Sequence, residues 1–134
     1  MLSDGTPLPV TLVPRTCVLV VDDEPSIRMM ARLMLERAGY VAVEAADADE
    51  ALRRLQESGR PVKVVVLDVS LPDRSGVEVI PDLRTLAPRT RVILTSGHAE
   101  EDFPGHGADA YLPKPFRNEE LVAAVRAVTA ATPR

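Results

Sequence analysis

Asp68 closes an apolar run, Val64-Val65-Val66-Leu67, and a turn-forming stretch follows it as far as Gly76. Asp22-Asp23-Glu24 closes a second run, Cys17-Val18-Leu19-Val20-Val21, and Lys114, set between Pro113 and Pro115, follows a third. If these runs are parallel strands, two sets of carboxylates and an amine meet at one sheet edge, the edge where open α/β folds take ligands. Two unit charges about 4 Å apart repel by roughly 4 kcal/mol at an effective dielectric near 20, so Asp22, Asp23 and Asp68 call for a cation or a shared proton. All-oxygen ligation with few protein groups suits a hydrated divalent ion such as Mg²⁺, which commonly bridges carboxylate and phosphate. Lys114 adds a point charge for a phosphate oxygen, and Ser96 or Thr95 adds a hydroxyl at the neighbouring strand end. Aspartate can itself take up a phosphoryl group, and that transfer asks little of a protein beyond positioning and electrostatic help. A metal-supported phosphoryl site is the economical reading.

Taken singly, these residues have plainer readings. Asp22 and Asp23 suit a helix cap or a solvated loop, Ser96 an ordinary loop hydroxyl, and Tyr111 a half-buried core aromatic. His98 and His106 have no Cys or Glu partner at metal-ligand spacing, which argues against zinc. Gly105-x-Gly107 lacks the strand before and helix after of a dinucleotide fingerprint, and Glu100-Glu101-Asp102 reads as a solvated acidic turn.

The elements that must position the site alternate along the chain, apolar runs of strand length with amphipathic helical patterns, which predicts βα units around a parallel sheet. The first helix spans roughly 26–38, with a buried stripe of Ile27, Met30, Ala31, Met34, Leu35 and Ala38 and Gly39 as its C-terminal cap; the methionines read as core filler. A strand at 41–45 precedes a helix that Asp47 and Glu50 open as a capping box and that runs to about residue 58. The helix after Asp68, from about 75 or 76 to 86, contains Pro81 and should kink there unless it begins late. After a strand at 91–95, Pro104, Gly105 and Gly107 leave room for only one or two helical turns. A strand at 110–112 then leads to a last helix capped by Asn118, with Glu119 and Glu120 in its first turn and Leu121, Ala124, Val125 and Val128 on its buried face. Residues 1–14, with Pro7, Pro9 and Pro14 and no period, read as a flexible arm, leaving 15–134 as one domain.

Composition narrows the function classes. At 134 residues one core suffices without a staple. The single Cys17 sits in an apolar strand and reads as a buried thiol rather than a nucleophile. No signal peptide or membrane-spanning run is visible, so a cytoplasmic location is expected. A net charge of -4, no basic block, no tryptophan and 3% aromatics argue against direct nucleic-acid binding.

Four motifs, Val-Val-Asp-Asp-Glu-Pro at 20–25, Leu-Asp-Val-Ser-Leu-Pro-Asp-Arg-Ser-Gly at 67–76, Leu-Thr-Ser-Gly at 94–97 and Lys-Pro-Phe at 114–116, occur in this order and spacing. Together they resemble the receiver domain of bacterial two-component response regulators, over roughly residues 16–128, in its single-domain, chemotaxis-regulator-like form. The resemblance implies a flavodoxin-like, doubly wound α/β fold with a five-stranded parallel sheet in the order 2-1-3-4-5 and five helices, the fourth shortened. It implies that Asp68 accepts a phosphoryl group from a histidine kinase or histidine phosphotransfer protein, with Mg²⁺, or Mn²⁺ in its place. By the same carry-over Asp22, Asp23, Asp68 and the Ser70 backbone carbonyl hold the metal. Ser96, rather than Thr95, is the switch hydroxyl, Lys114 pairs with the phosphoryl group and Tyr111 is the switch aromatic. Ser70 and His98 occupy positions that tune phosphate lifetime, and the Lys114-Pro115 bond resembles one that is cis in the family.

The module would catalyse only its own phosphorylation and dephosphorylation and would change its affinity for a downstream protein target. The stretch between Ser96 and Lys114 is shorter than the family's usual length. Because the fourth helix helps form the family's signalling and dimerisation face, a monomer or weak dimer is expected. A receiver belonging to a hybrid histidine kinase is the nearest alternative; the short fourth helix fits it, while Met1 and a complete last helix fit an independent chain equally well. A small aspartyl-phosphate phosphatase or phosphotransferase is the enzyme alternative. It would want an acid two residues after the nucleophile, where Ser70 stands, and a cap domain for which there is no room.

Overall fold

The computed structural model describes residues 15–57, 59 and 61–131; the expected arm at 1–14 and the expected helix end at residue 58 lie outside them. Five strands, β1 (Cys17–Val21), β2 (Val41–Ala45), β3 (Val62–Asp68), β4 (Arg91–Ser96) and β5 (Ala110–Pro113), form one sheet in the order β2-β1-β3-β4-β5. Every pairing is parallel. The order reverses at β1, whose neighbours are β2 and β3, so the ends of β1 and β3 flank the crevice where such sheets bind ligands. This is the flavodoxin-like fold expected from the sequence.

The apolar runs are buried on both faces because each strand is covered twice. Leu19, Val21, Val65, Leu67, Val92 and Leu94 point to one layer with Ala48, Ala51, Val79, Ile80 and Leu83. Those last five come from α2 (Ala48–Gln56) and α3 (Gly76–Leu86). Val18, Val20, Val64, Val66, Ile93 and Leu112 point to the other layer, formed by α1 (Pro25–Arg37) and α4 (Asn118–Ala130). Full burial of one such side chain stabilises by about 1.5–3 kcal/mol, so a one-residue slip of β1 or β3 would exchange the two layers' side chains at once.

Helix ends follow local chemistry. At the end of α1, Gly39 has φ +98, and the Gly39 and Tyr40 amides donate to the Glu36 and Leu35 carbonyls, the paired bonds of a glycine-terminated helix. α3 runs on through Pro81. Three expectations need correction. The shortened fourth helix is a single three-residue 3-10 turn, Glu100–Asp102, so four α-helices are present among the described residues. Asn118 is the first helical residue of α4 and not its cap; Arg117 holds the extended cap position and donates its backbone N–H to Glu120 Oε1 at 2.7 Å. Glu120, at the third helical position, thus serves the cap residue's own N–H, while the Glu120 N–H that a cap side chain would take goes to the Arg117 carbonyl at 3.0 Å. Met30 is 52% and Met29 49% exposed, because α1 buries only Ala31 and Leu35 fully; Met34 alone of the three packs against the core, as expected.

Candidate functional site

β1 and β3 end side by side, Val21 opposite Leu67, so Asp22 and Asp68 emerge together at the same edge. Both are almost wholly buried, at 3% and 4% exposure, while Asp23 is exposed. One carboxylate oxygen from each of Asp22, Asp23 and Asp68 lies within 4.8 Å of the other two. Lys114, carried past the end of β5, places Nζ 2.7 Å from Asp22 Oδ2 and 3.3 Å from Asp68 Oδ2. The backbone fixes the other oxygens: Asp22 Oδ1 accepts the Glu24 N–H at 2.9 Å, and Asp68 Oδ1 accepts the Ser70 N–H at 3.2 Å.

Burial pushes the Asp68 carboxyl above its ordinary range and the charge of Asp22 adds to this, against the opposing pull of Lys114 and of the Ser70 N–H. For Lys114 burial pulls the ammonium down, but the hydrogen bond to Asp22 and the charges of Asp68 and Asp22 outweigh it, and its pKa rises. Three close carboxylates against one ammonium leave a net negative, oxygen-only site. The donor set fits a hard divalent cation, which requires neither thiolate nor imidazole.

Space is equally specified. A Cβ built on Gly76 would lie 2.2 Å from the Asp68 carbonyl oxygen and 3.0 Å from Val69 Cα, both backbone atoms with no room to yield. The Gly76 N–H donates to the Val69 carbonyl at 2.8 Å. Glycine at the start of α3 therefore lets that helix seat directly on the end of β3.

Ser96 ends β4, buried, with its hydroxyl accepting the His98 N–H at 3.0 Å. Thr95 is buried one residue earlier, and its carbonyl accepts the Val69 N–H at 2.9 Å. The Lys114 N–H donates to the Ser96 carbonyl at 2.7 Å, tying the hydroxyl and amine positions through adjacent strand ends. The Lys114-Pro115 peptide is cis. Tyr111 stands apart from the carboxylates: its hydroxyl donates to the His98 carbonyl at 2.6 Å, and its ring lies 6.4 Å from Phe103 and 6.0 Å from His106.

Two sets of contacts escape sequence reasoning, because Asp73 reaches residues far away in the chain and Arg28 bridges a nearby carbonyl to a distant strand. Asp73, in the loop after β3, accepts the Ala48 and Asp49 N–H groups at 3.0 Å each. Arg28 donates from Nη1 to the Asp22 carbonyl at 2.6 Å and from Nε to Glu44 at 2.8 Å. The second had a partial signal, an arginine one turn into the helix that follows the acidic pair.

The family model for the response regulator receiver domain matches residues 18–126. A segment of the sensor kinase CckA of Brucella abortus is 37% identical over 113 residues, 81% of this chain but 12% of that protein. The chain spans about half the length of the other curated relatives it matches. Among solved structures, the chemotaxis response regulator CheY4 of Vibrio cholerae superposes with a TM-score of 0.77 at 31% identity, covering 86% of this chain and 99% of that one. The response regulator TrrA of Thermotoga maritima, solved in complex with Mg²⁺-BeF, gives 0.76 at 32%, covering 84% and 98%.

Proposed function

The chain belongs to the response regulator receiver family, and from that premise we propose that it accepts a phosphoryl group on Asp68 and passes the change to a partner protein. The observation that carries the reading is the Lys114 ammonium shared by two buried carboxylates, with a third carboxylate alongside. An Asp68 oxygen forms the bond to phosphorus as the bond from phosphorus to a donor imidazole nitrogen breaks, its electron pair leaving with the imidazole. Asp68 does this as the carboxylate. Lys114 turns from the aspartates to the incoming phosphoryl oxygens, and Ser96 offers its hydroxyl to another. Asp22, Asp23, Asp68 and the Ser70 carbonyl would hold Mg²⁺ or Mn²⁺, which supplies charge neutralisation between carboxylate and phosphoryl oxygens.

The response runs through Ser96 toward Tyr111, with Ser70 and His98 beside the phosphoryl group setting its lifetime. The donor is a histidine kinase or histidine phosphotransfer protein. A groove of about 360 Å³ lined by Ile27, Met30, Met34, Lys114 and Phe116 gives that donor an apolar seat beside the lysine. The module acts on no other substrate, touches no nucleic acid itself and works in the cytoplasm; no helix among the described residues is long and apolar enough to cross a membrane. The likeness to a sensor-kinase segment supports a second setting for the same chemistry, as the receiver of a hybrid histidine kinase.

Intact-mass spectrometry after incubation with Mg²⁺ and acetyl phosphate tests the reading. Wild type should gain one phosphate, dependent on Mg²⁺, and Asp68→Asn should gain none. An adduct that persists in Asp68→Asn moves the acceptor elsewhere and ends this assignment.

A further inference from the structure

Asp22 is held at every polar atom. Its N–H donates to the Ala45 carbonyl at 3.1 Å, its Oδ1 accepts from Glu24, its Oδ2 accepts from Lys114, and its carbonyl accepts from Arg28 Nη1. The last contact crosses elements, because the same guanidinium donates to Glu44 on the edge strand β2. Glu44 also accepts from Arg32 Nε at 2.5 Å. Burial works against the Glu44 carboxylate, yet its bonds to Arg28 and Arg32 hold it below the usual range.

The carbonyl that Arg28 grips belongs to the peptide unit joining Asp22 to Asp23. Rotation of that unit swings the Asp23 side chain relative to the buried Asp22 and Asp68, whose carboxylates are already fixed. We propose that Arg28, braced by Glu44, is the positioning residue that sets the Asp22-Asp23 peptide plane and so aims Asp23 at the cation; this rests on the metal-binding reading above. Partly exposed ion pairs contribute little to stability, and Arg28 and Arg32 both pair with Glu44. What sets Arg28 apart is the bond to the Asp22 carbonyl. Its planar fork can hold two acceptors at a fixed angle, which an ammonium cannot reproduce.

The test compares Arg28→Ala, Arg28→Lys and Arg32→Ala by Mg²⁺ titration calorimetry and, in metal-free protein, by hydrogen exchange of the Glu24 amide. Groups that orient metal ligands commonly carry about 10–100-fold in affinity. Arg28→Ala should weaken Mg²⁺ binding about tenfold or more, Arg28→Lys should recover only part of the loss, and Arg32→Ala should stay within about twofold of wild type. Glu24 exchange should quicken in Arg28→Ala alone. Equal losses in Arg28→Ala and Arg32→Ala, full rescue by lysine, or unchanged exchange would each overturn the proposal. Should Arg28→Ala fail to fold, Arg28→Lys against Arg32→Ala decides the same point. If wild type binds no Mg²⁺, the metal reading falls by itself, and the exchange data still decide whether Arg28 holds this peptide unit.

Discussion

Asp68 titrates in an environment that opposes its charge, and that has a thermodynamic consequence. Its folded pKa lies above the unfolded one through burial and the charge of Asp22. Its contribution to stability is therefore fully present below the unfolded pKa and is lost as pH rises through the folded pKa. At neutral pH the metal-free fold bears the cost of the ionised group. Asp68→Asn removes that cost while its amide oxygen can still accept the Ser70 N–H, so the variant should melt above wild type at pH 7 without Mg²⁺. The gap should close as pH falls below about 4, where both chains carry a neutral group. Melting of Asp68→Asn below wild type at pH 7 would show that Lys114 more than offsets the burial. Gly76→Ala tests the same corner by volume. Its Cβ would overlap the Asp68 carbonyl, so β3 or α3 must shift; we expect a loss of about 1–3 kcal/mol in chemical denaturation and slower phosphorylation of Asp68. Asp22, Asp68 and Lys114 were legible in the sequence because a charged residue ending an apolar run contrasts with everything before it. The close approach at Gly76 was not, because no pattern in the chain announces contact between backbones.

At the scale of elements, α2 shows what a sequence can and cannot disclose. Asp47 Oδ1 accepts the Glu50 N–H at 2.7 Å, and Glu50 Oε1 accepts the Ala46 N–H at 2.7 Å, close to the capping box read from their spacing. That leaves the Ala48 and Asp49 amides, two of the donors a helix start cannot satisfy internally, and Asp73 takes both from 25 and 24 residues away. These backbone bonds outweigh the slight burial of Asp73 and lower its pKa. Its stabilising effect is therefore present above the unfolded pKa and disappears as pH falls through the folded one. Asp47→Ala and Asp73→Ala should each cost about 1 kcal/mol at pH 7. Only Asp73→Ala should also slow phosphorylation by a small phosphodonor, since Asp73 ties the loop bearing Ser70 to α2. Equal phosphorylation rates in the two variants would show that this tie is structural alone. The strands were readable throughout because a sheet covered on both faces needs continuous apolar runs. The start of α4 departs from the expectation because cap preference describes an accepting side chain at the cap position, while here the accepting side chain is Glu120, three residues into the helix, and the cap position falls to Arg117.

For the molecule as a whole, the 3-10 turn in place of a helix decides what the face beyond β5 can offer. Its residues Glu100, Glu101 and Asp102 are exposed and acidic. The large apolar side chains exposed among the described residues are Met29, Met30 and Leu33 on α1 and Leu86 at the end of α3. Apolar area for association is thus concentrated on α1, where Met30 lines the groove beside Lys114. A stable protein interface buries about 1,200–2,000 Å² with an apolar centre, and two copies meeting through the turn would instead oppose like charges. Phosphorylation should therefore leave the chain monomeric. Sedimentation with and without Mg²⁺ and acetyl phosphate should give a mass near 14.5 kDa in both states. A dimer that forms only on phosphorylation and is lost in Glu100→Lys would show that the short turn still makes an interface. A dimer abolished instead by Met30→Glu would locate self-association on α1, where it would compete with the phosphodonor for the same apolar seat.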